Sequence, residues 1–306
     1  MTMKPTLTAV AAIATLTAGA AQAELSFGGF AQTESFNGYC PCIGDWENIY
    51  NDLRGEVSAT YQFDRVTIGA GLKFETELGE DDFEFEPEEN LFFLLNSGAV
   101  TLTYGSFYGA GNMLSEDYFL MDDTTEDHDK TLRVDLEQDG LHIALSVPLD
   151  DTEEWELGVA TQAFGHFFRL GYEADSQDLG VIIGRDMGRW GYHLTTLQDL
   201  DDNGWGDDQI GATLLVDLTD DLRVAGNVNY ATENLELMHY SLAAWYQLSD
   251  DKGSLGPVTL YAEYNKDLDW DEQYFSVGID IAFGNQAPAA YERRERKEFV
   301  SGFGFY

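Results

Sequence analysis

The stretch "SFYGAGNMLSEDYFLMDDTTEDHDK", residues 106–130, carries seven carboxylates and one Lys, the Lys at its very end. Glu116, Asp117, Asp122 and Asp123 lead the group, with Glu126 and Asp127 close behind. Clustered carboxylates raise the local concentration of cations. The same run also reads as ordinary solvated loop charge. Basic residues that could face it are few: Arg54, Lys73 and Arg133 each fall on the polar side of an alternating segment.

A second acidic stretch, "DLDDNGWGDD" at 199–208, sets Asp199, Asp201, Asn203 and Gly204 in the D-x-D-x-N-G order that opens a calcium loop. Ile210 stands at the twelfth place, where a bidentate acid is expected, so Asp207 or Asp208 would have to substitute. Acidic turns with Gly are also common in hairpins. Calcium is the one cofactor the sequence raises. Cys40 and Cys42 are the only cysteines. Outside the cytoplasm they oxidise, but a bridge across one residue is strained, and the stretch has too few ligands for a metal site. Enzymatic chemistry has little to stand on. The five His are scattered, with neither a G-x-S-x-G elbow nor an H-E-x-x-H pair, and no nucleophile, base and orienter can be assembled.

The elements that must position these groups begin with an export signal. "MTMKPTLTAVAAIATLTAGAAQA" offers Lys4, an apolar run and the small-residue end Ala21-Gln22-Ala23. That is the grammar of a cleavable signal over 1–23, with the mature chain starting near Glu24. No later run reaches the ~20 apolar residues of a membrane helix. Mean hydropathy is −0.27, yet aromatics make up 13% of the chain, with 31 Gly and 6 Pro. A secreted chain of that kind points to β structure, and in a membrane only a closed barrel leaves no backbone group unpaired. A net charge of −40, from 56 acidic and 16 basic residues, excludes nucleic acid as a partner and favours cations.

Alternation confirms the β reading. "LRGEVSATYQF" and "VTIGAGLKFE" flank the turn Asp64-Arg65, and similar segments begin near residues 25, 90, 98, 131, 140, 155, 166, 179, 189, 209, 221, 236, 257 and 273. This predicts sixteen strands. Connections after even strands are mostly short ("DR", "NSG", "QDG"), while those after odd strands include 36–52, 78–88, 107–130, 148–154 and 199–208. Short turns at one end and longer loops at the other mark an outer-membrane barrel. Sixteen strands leave an aqueous channel lined by the polar faces.

With these features the chain resembles the general diffusion porins of Gram-negative bacteria, of the alphaproteobacterial type. The resemblance covers residues 24–284 and implies an all-β transmembrane antiparallel barrel. It implies that the loop after the fifth strand folds inward and narrows the pore. Glu116, Asp117, Asp122 and Asp123 would then face Arg54, Lys73 and Arg133 across the constriction. It further implies a weakly cation-selective channel for ions and small hydrophilic solutes, a homotrimer in outer-membrane lipid, and no enzymatic activity. "SVGIDIAF" at 276–283 is similar to the terminal-strand signal read by the barrel-insertion machinery, through Ser276, Gly278, Ile281 and Phe283. The family usually stops there. This chain continues over 285–306 with Arg293, Arg294, Arg296 and Lys297, either as a tail able to bind the barrel mouth or anionic lipid, or with "KEFVSGFGFY" as the true closing strand. The alternative function is a substrate-selective or plugged barrel acting as a binding or structural protein.

Overall fold

The computed structural model describes residues 23–41, 44–63, 66–77, 91–107, 110, 128–200, 208–249, 255–268 and 271–284. The strands are β1 (Ala23–Cys40), β2 (Gly44–Phe63), β3 (Val66–Glu77), β4 (Leu91–Ser97), β5 (Val100–Phe107), β6 (His128–Gln138), β7 (Leu141–Pro148) and β8 (Glu156–Ala163). They continue with β9 (His166–Glu173), β10 (Asp178–Asp186), β11 (Trp190–Asp199), β12 (Gln209–Asp217), β13 (Leu222–Ala231), β14 (Leu237–Ser249), β15 (Leu255–Asp267) and β16 (Gln273–Gly284). Each strand pairs antiparallel with its neighbours in chain order, and β1 closes onto β16 over Gly28–Tyr39 and Gln273–Gly284. The ring closes through β16, and "KEFVSGFGFY" lies outside the described residues.

Two faces alternate along the strands. Phe93, Leu95, Leu102, Tyr104, Leu136, Leu194, Leu214, Leu242, Leu260 and Phe275 are large, apolar and exposed. Their immediate neighbours in sequence include the buried polar residues Asp135, His193, Thr195, Thr213, Ser241, Thr259 and Ser276. This inverts the pattern of a water-soluble protein, where exposed apolar patches of such extent are rare. A bilayer is the solvent such a belt requires, and the closed ring satisfies every strand inside it.

One expectation fails here. Residues 36–52 do not form a loop, because β1 runs on to Cys40 and β2 starts at Gly44. Gly, Asn, Pro and Cys make that stretch look irregular, but the two strands pair with each other throughout, up to Cys40 opposite Gly44. Gly44 takes φ 86° beside the turn, a conformation that glycine adopts without strain. β3 pairs with β2 only from Asp52 onwards, so the hairpin stands one strand pair above that part of the rim. The other expected strand starts lie within three residues of those observed.

Close approach sets one inner-wall detail. A Cβ on Gly278 would lie 2.2 Å from the Tyr261 phenol and 2.7 Å from the Thr33 carbonyl oxygen. The tip of the Tyr261 ring therefore packs over Gly278 of the paired strand. It joins Leu215, Ala225, Ala243 and Trp245 in a small buried apolar cluster.

Candidate functional site

The inward face carries ion pairs and, over β12 to β16, neutral amides and hydroxyls as well. On β6, Arg133 donates from Nε and Nη2 to Asp135, with Nη2 2.9 Å from Oδ1. Residues two apart on a strand share a face, which makes this contact possible within one strand. Asp135 Oδ1 also lies 2.8 Å from His142 Nε2 on β7, and that nitrogen is 3.9 Å from Glu137. Further round, Arg223 Nε is 2.6 Å and Nη2 3.1 Å from the two Asp217 carboxylate oxygens, across β13 and β12. Arg169 stacks over Phe167 at 5.4 Å. A cavity of about 660 Å³ opens along Glu137, His142, Gln162, Phe167 and Arg169. Another of about 220 Å³ continues past His193, Asp217 and Arg223. This part of the inner face is charged, and its Arg133 and Arg223 are ion-paired.

Strands β12 to β16 also carry inward amides and hydroxyls, beside the Asp217–Arg223 pair. Register sets Thr213 opposite Asn227, Asn227 opposite Ser241, and Ser241 opposite Asn265. Asn227 donates its side-chain amide to Thr213 Oγ1 at 2.8 Å, and Glu263 accepts from Asn265 and from the Tyr274 hydroxyl.

The residues expected to form a constriction are met only in part. Glu116, Asp117, Asp122, Asp123, Glu126 and Asp127 lie outside the described residues, as do the side chains of Arg54 and Lys73. Register places Arg54 opposite Glu75 and Lys73 opposite Glu56. Ala110 is the one described residue between Phe107 and His128. It is fully buried, and its amide donates to Ser146 Oγ at 2.7 Å. Ser146 is inward on β7, so the chain after β5 has turned inside the ring at that point. Arg133, expected to face the loop acids, is ion-paired with Asp135 on its own strand. The calcium stretch leaves β11 at Asp199, whose side chain is outside the described residues together with Asp201 and Asn203.

Sequence reasoning passed over Asp135, Asp217 and the role of His142. The Arg133-x-Asp135 spacing was a readable signal for the first of these. The approach of His142 depends on the β6–β7 register, which no local pattern announces.

No family model and no curated protein matches the sequence. Solved structures do match. A porin variant from Rhodopseudomonas blastica is 17% identical with a TM-score of 0.67, covering 85% of this chain and 100% of that one. A second variant of the same porin gives 16% and 0.68 over the same shares. A structure described under asymmetric conductivity of engineered proteins gives 17% and 0.63, again over 85% and 100%. Identity at this level speaks to architecture, and with its closed ring and inverted faces the chain has the porin fold.

Proposed function

We propose that this chain is an outer-membrane porin, a water-filled and weakly cation-selective channel for passive diffusion of ions and small hydrophilic solutes. The observation that carries the reading is the closed sixteen-strand ring with an apolar exterior and a polar, ion-paired interior. A ring of that size leaves room for water. Cation preference rests on the −40 charge and on the pairing of Arg133 and Arg223 with acids, which leaves little positive field there. Export through the signal at 1–23, a homotrimer in outer-membrane lipid and delivery by the insertion machinery belong to the same proposal. The test is single-channel recording in planar bilayers with a KCl gradient. Stepwise conductance with a cation-sided zero-current potential is expected, from protein whose gel mobility shifts only after boiling. A heat-modifiable barrel that never conducts would overturn the channel.

A further inference from the structure

Arg185 is a cation on the outer face of the barrel. It stands near the end of β10, opposite Tyr192 on β11, and the next residue on that face of β11 is Leu194, 51% exposed. Among the described residues, none makes an ion pair or hydrogen bond with its guanidinium. The acid beside it in sequence, Asp186, falls on the inner face by alternation and accepts from the Gly188 amide at 2.8 Å. The guanidinium leans towards the short-turn end, with Nη2 3.6 Å from where a Cβ on Gly165 would stand.

The rim around it is built from aromatics whose own polar groups are engaged. Register ending with Phe167 opposite Gly184 brings His166 to the other flank of Arg185. His166 Nε2 lies 2.9 Å from the Tyr192 hydroxyl, and Nδ1 lies 3.2 Å from the Phe164 carbonyl oxygen. A carbonyl only accepts, so in the neutral ring Nδ1 carries the proton and Nε2 takes the Tyr192 O–H. The donors left over on this rim are those of Arg185. Phe164, at the tip of the β8–β9 turn, is 96% exposed and has φ 55°, a left-handed conformation that bulky residues seldom adopt. Trp190, also exposed, stands one row beyond Tyr192.

Depth decides what meets these groups. Phe168, Leu170, Val181, Ile183 and Leu194 carry the outer face, without charge, away from this row. At its far end the Trp155 and Tyr172 rings lie 5.2 Å apart. Aromatic rows at both ends bound the apolar band of a membrane barrel, and the short turns face the periplasm. Arg185 is therefore at headgroup depth in the periplasmic leaflet.

We infer that Arg185 holds the phosphate of a phospholipid, with Phe164 and Trp190 beside the headgroup and the acyl chains along the apolar column. This rests on the membrane-barrel reading above. The planar guanidinium fork matches two phosphate oxygens, and basic side chains at this depth attract anionic lipid. Free phosphate offers the same oxygens to Arg185. It has no use for Phe164, Trp190 or the adjoining apolar column, so the lipid is the better fit.

The test takes the heat-modifiable barrel in uncharged detergent, titrates it with phosphatidylglycerol, and counts retained lipid by native mass spectrometry. The parent should retain the lipid, and Arg185→Gln should bind it about tenfold more weakly, ~1.4 kcal/mol. Arg189→Gln, which alters an exposed arginine already paired with Asp220, should bind like the parent. Diacylglycerol, which lacks the phosphate, should not be retained by the parent, a comparison that needs no variant. Millimolar inorganic phosphate should leave the lipid in place, and its displacement would hand the site to free phosphate and overturn the inference. So would equal retention by the parent and Arg185→Gln, or equal retention of diacylglycerol. Absence of retained lipid in both proteins would overturn it too and leave the Phe164 turn to a protein partner. Lipid is counted without current, so a heat-modifiable barrel that never conducts would sink the channel while leaving this result to stand.

Discussion

If Arg133 and Asp135 act as one neutral unit on the inner wall, their substitutions must have equal and opposite effects on ion selectivity. A single unscreened charge ~10 Å from the channel axis contributes about 0.4 kcal/mol in water, a factor of about two in local cation concentration. Opposite charges 2.9 Å apart leave roughly a third of that field, about 0.1 kcal/mol. Arg133→Gln should therefore raise the cation-to-anion permeability ratio roughly two- to fourfold, because cations gain as anions lose. Asp135→Asn should lower it by a similar factor. The double variant should return close to the parent. The assay is the zero-current potential of single channels across a dilute KCl gradient, where the Debye length is about 10–30 Å, repeated near 1 M, where it is about 3 Å and the shifts should vanish. In each protein the His142 contact partner remains present. A double variant that keeps the full shift of Arg133→Gln would refute the reasoning. Arg133 would then act alone across the lumen and Asp135 would not feel the channel.

Four further outcomes follow from the residues. Changing Glu116, Asp117, Asp122 and Asp123 together to Asn or Gln should move the zero-current potential towards that of a neutral pore in dilute KCl while the barrel still assembles; unchanged selectivity removes the loop from the constriction. Calcium should bind the 199–208 stretch at roughly millimolar affinity if at all, and calorimetry giving equal heats for the parent and Asp199→Ala/Asp201→Ala would end that reading. Gly278→Ala should cost about 1–3 kcal/mol through overpacking against Tyr261 and the Thr33 carbonyl, seen as a lower temperature for loss of the heat-modifiable form. Burial, with the Asp267 carboxylate adding to it, raises the pKa of Glu272 in the β15–β16 turn above the usual 4.5. Its ionisation is thus less favourable folded than unfolded, and stability falls as pH rises from 4.5 towards the folded pKa. Glu272→Gln should flatten that part of a pH–stability curve.

Strand number and phase were legible because a bilayer and a water column impose opposite demands on alternate residues. "TLRVDLEQ" shows this directly, with Leu132, Val134 and Leu136 outside and Arg133, Asp135 and Glu137 inside. The extension of β1 and β2 was not legible. Around Gly38 and Trp46 the residue types announce no alternation, and backbone pairing of β1 with β2 on one side and β16 on the other extends the strands there. The candidate site was legible in its acids and bases but not in their partners. Arg133 was read by face and not by neighbour, and the buried amides of Asn227 and Asn229 look like any polar inward residue until their exposure is known. Ala110 was likewise hidden, since its hydrogen bond to Ser146 joins elements 36 positions apart.

The seam between β1 and β16 also bears on how the molecule is made. Gly28 and Gly284 meet across roughly 250 residues of chain, and bringing such distant ends together costs on the order of 5 kcal/mol in loop entropy beyond the constant for closing any loop. Nothing repays this until the last strand exists. A nascent or prematurely ended chain therefore carries two open strand edges, each a template for pairing with other chains. Ring closure and suppression of aggregation are the same event in this topology. A frameshift or stop codon anywhere before β16 yields an adhesive product rather than a smaller barrel, and a cell making this protein in quantity must hold its two edges apart until the ring can shut.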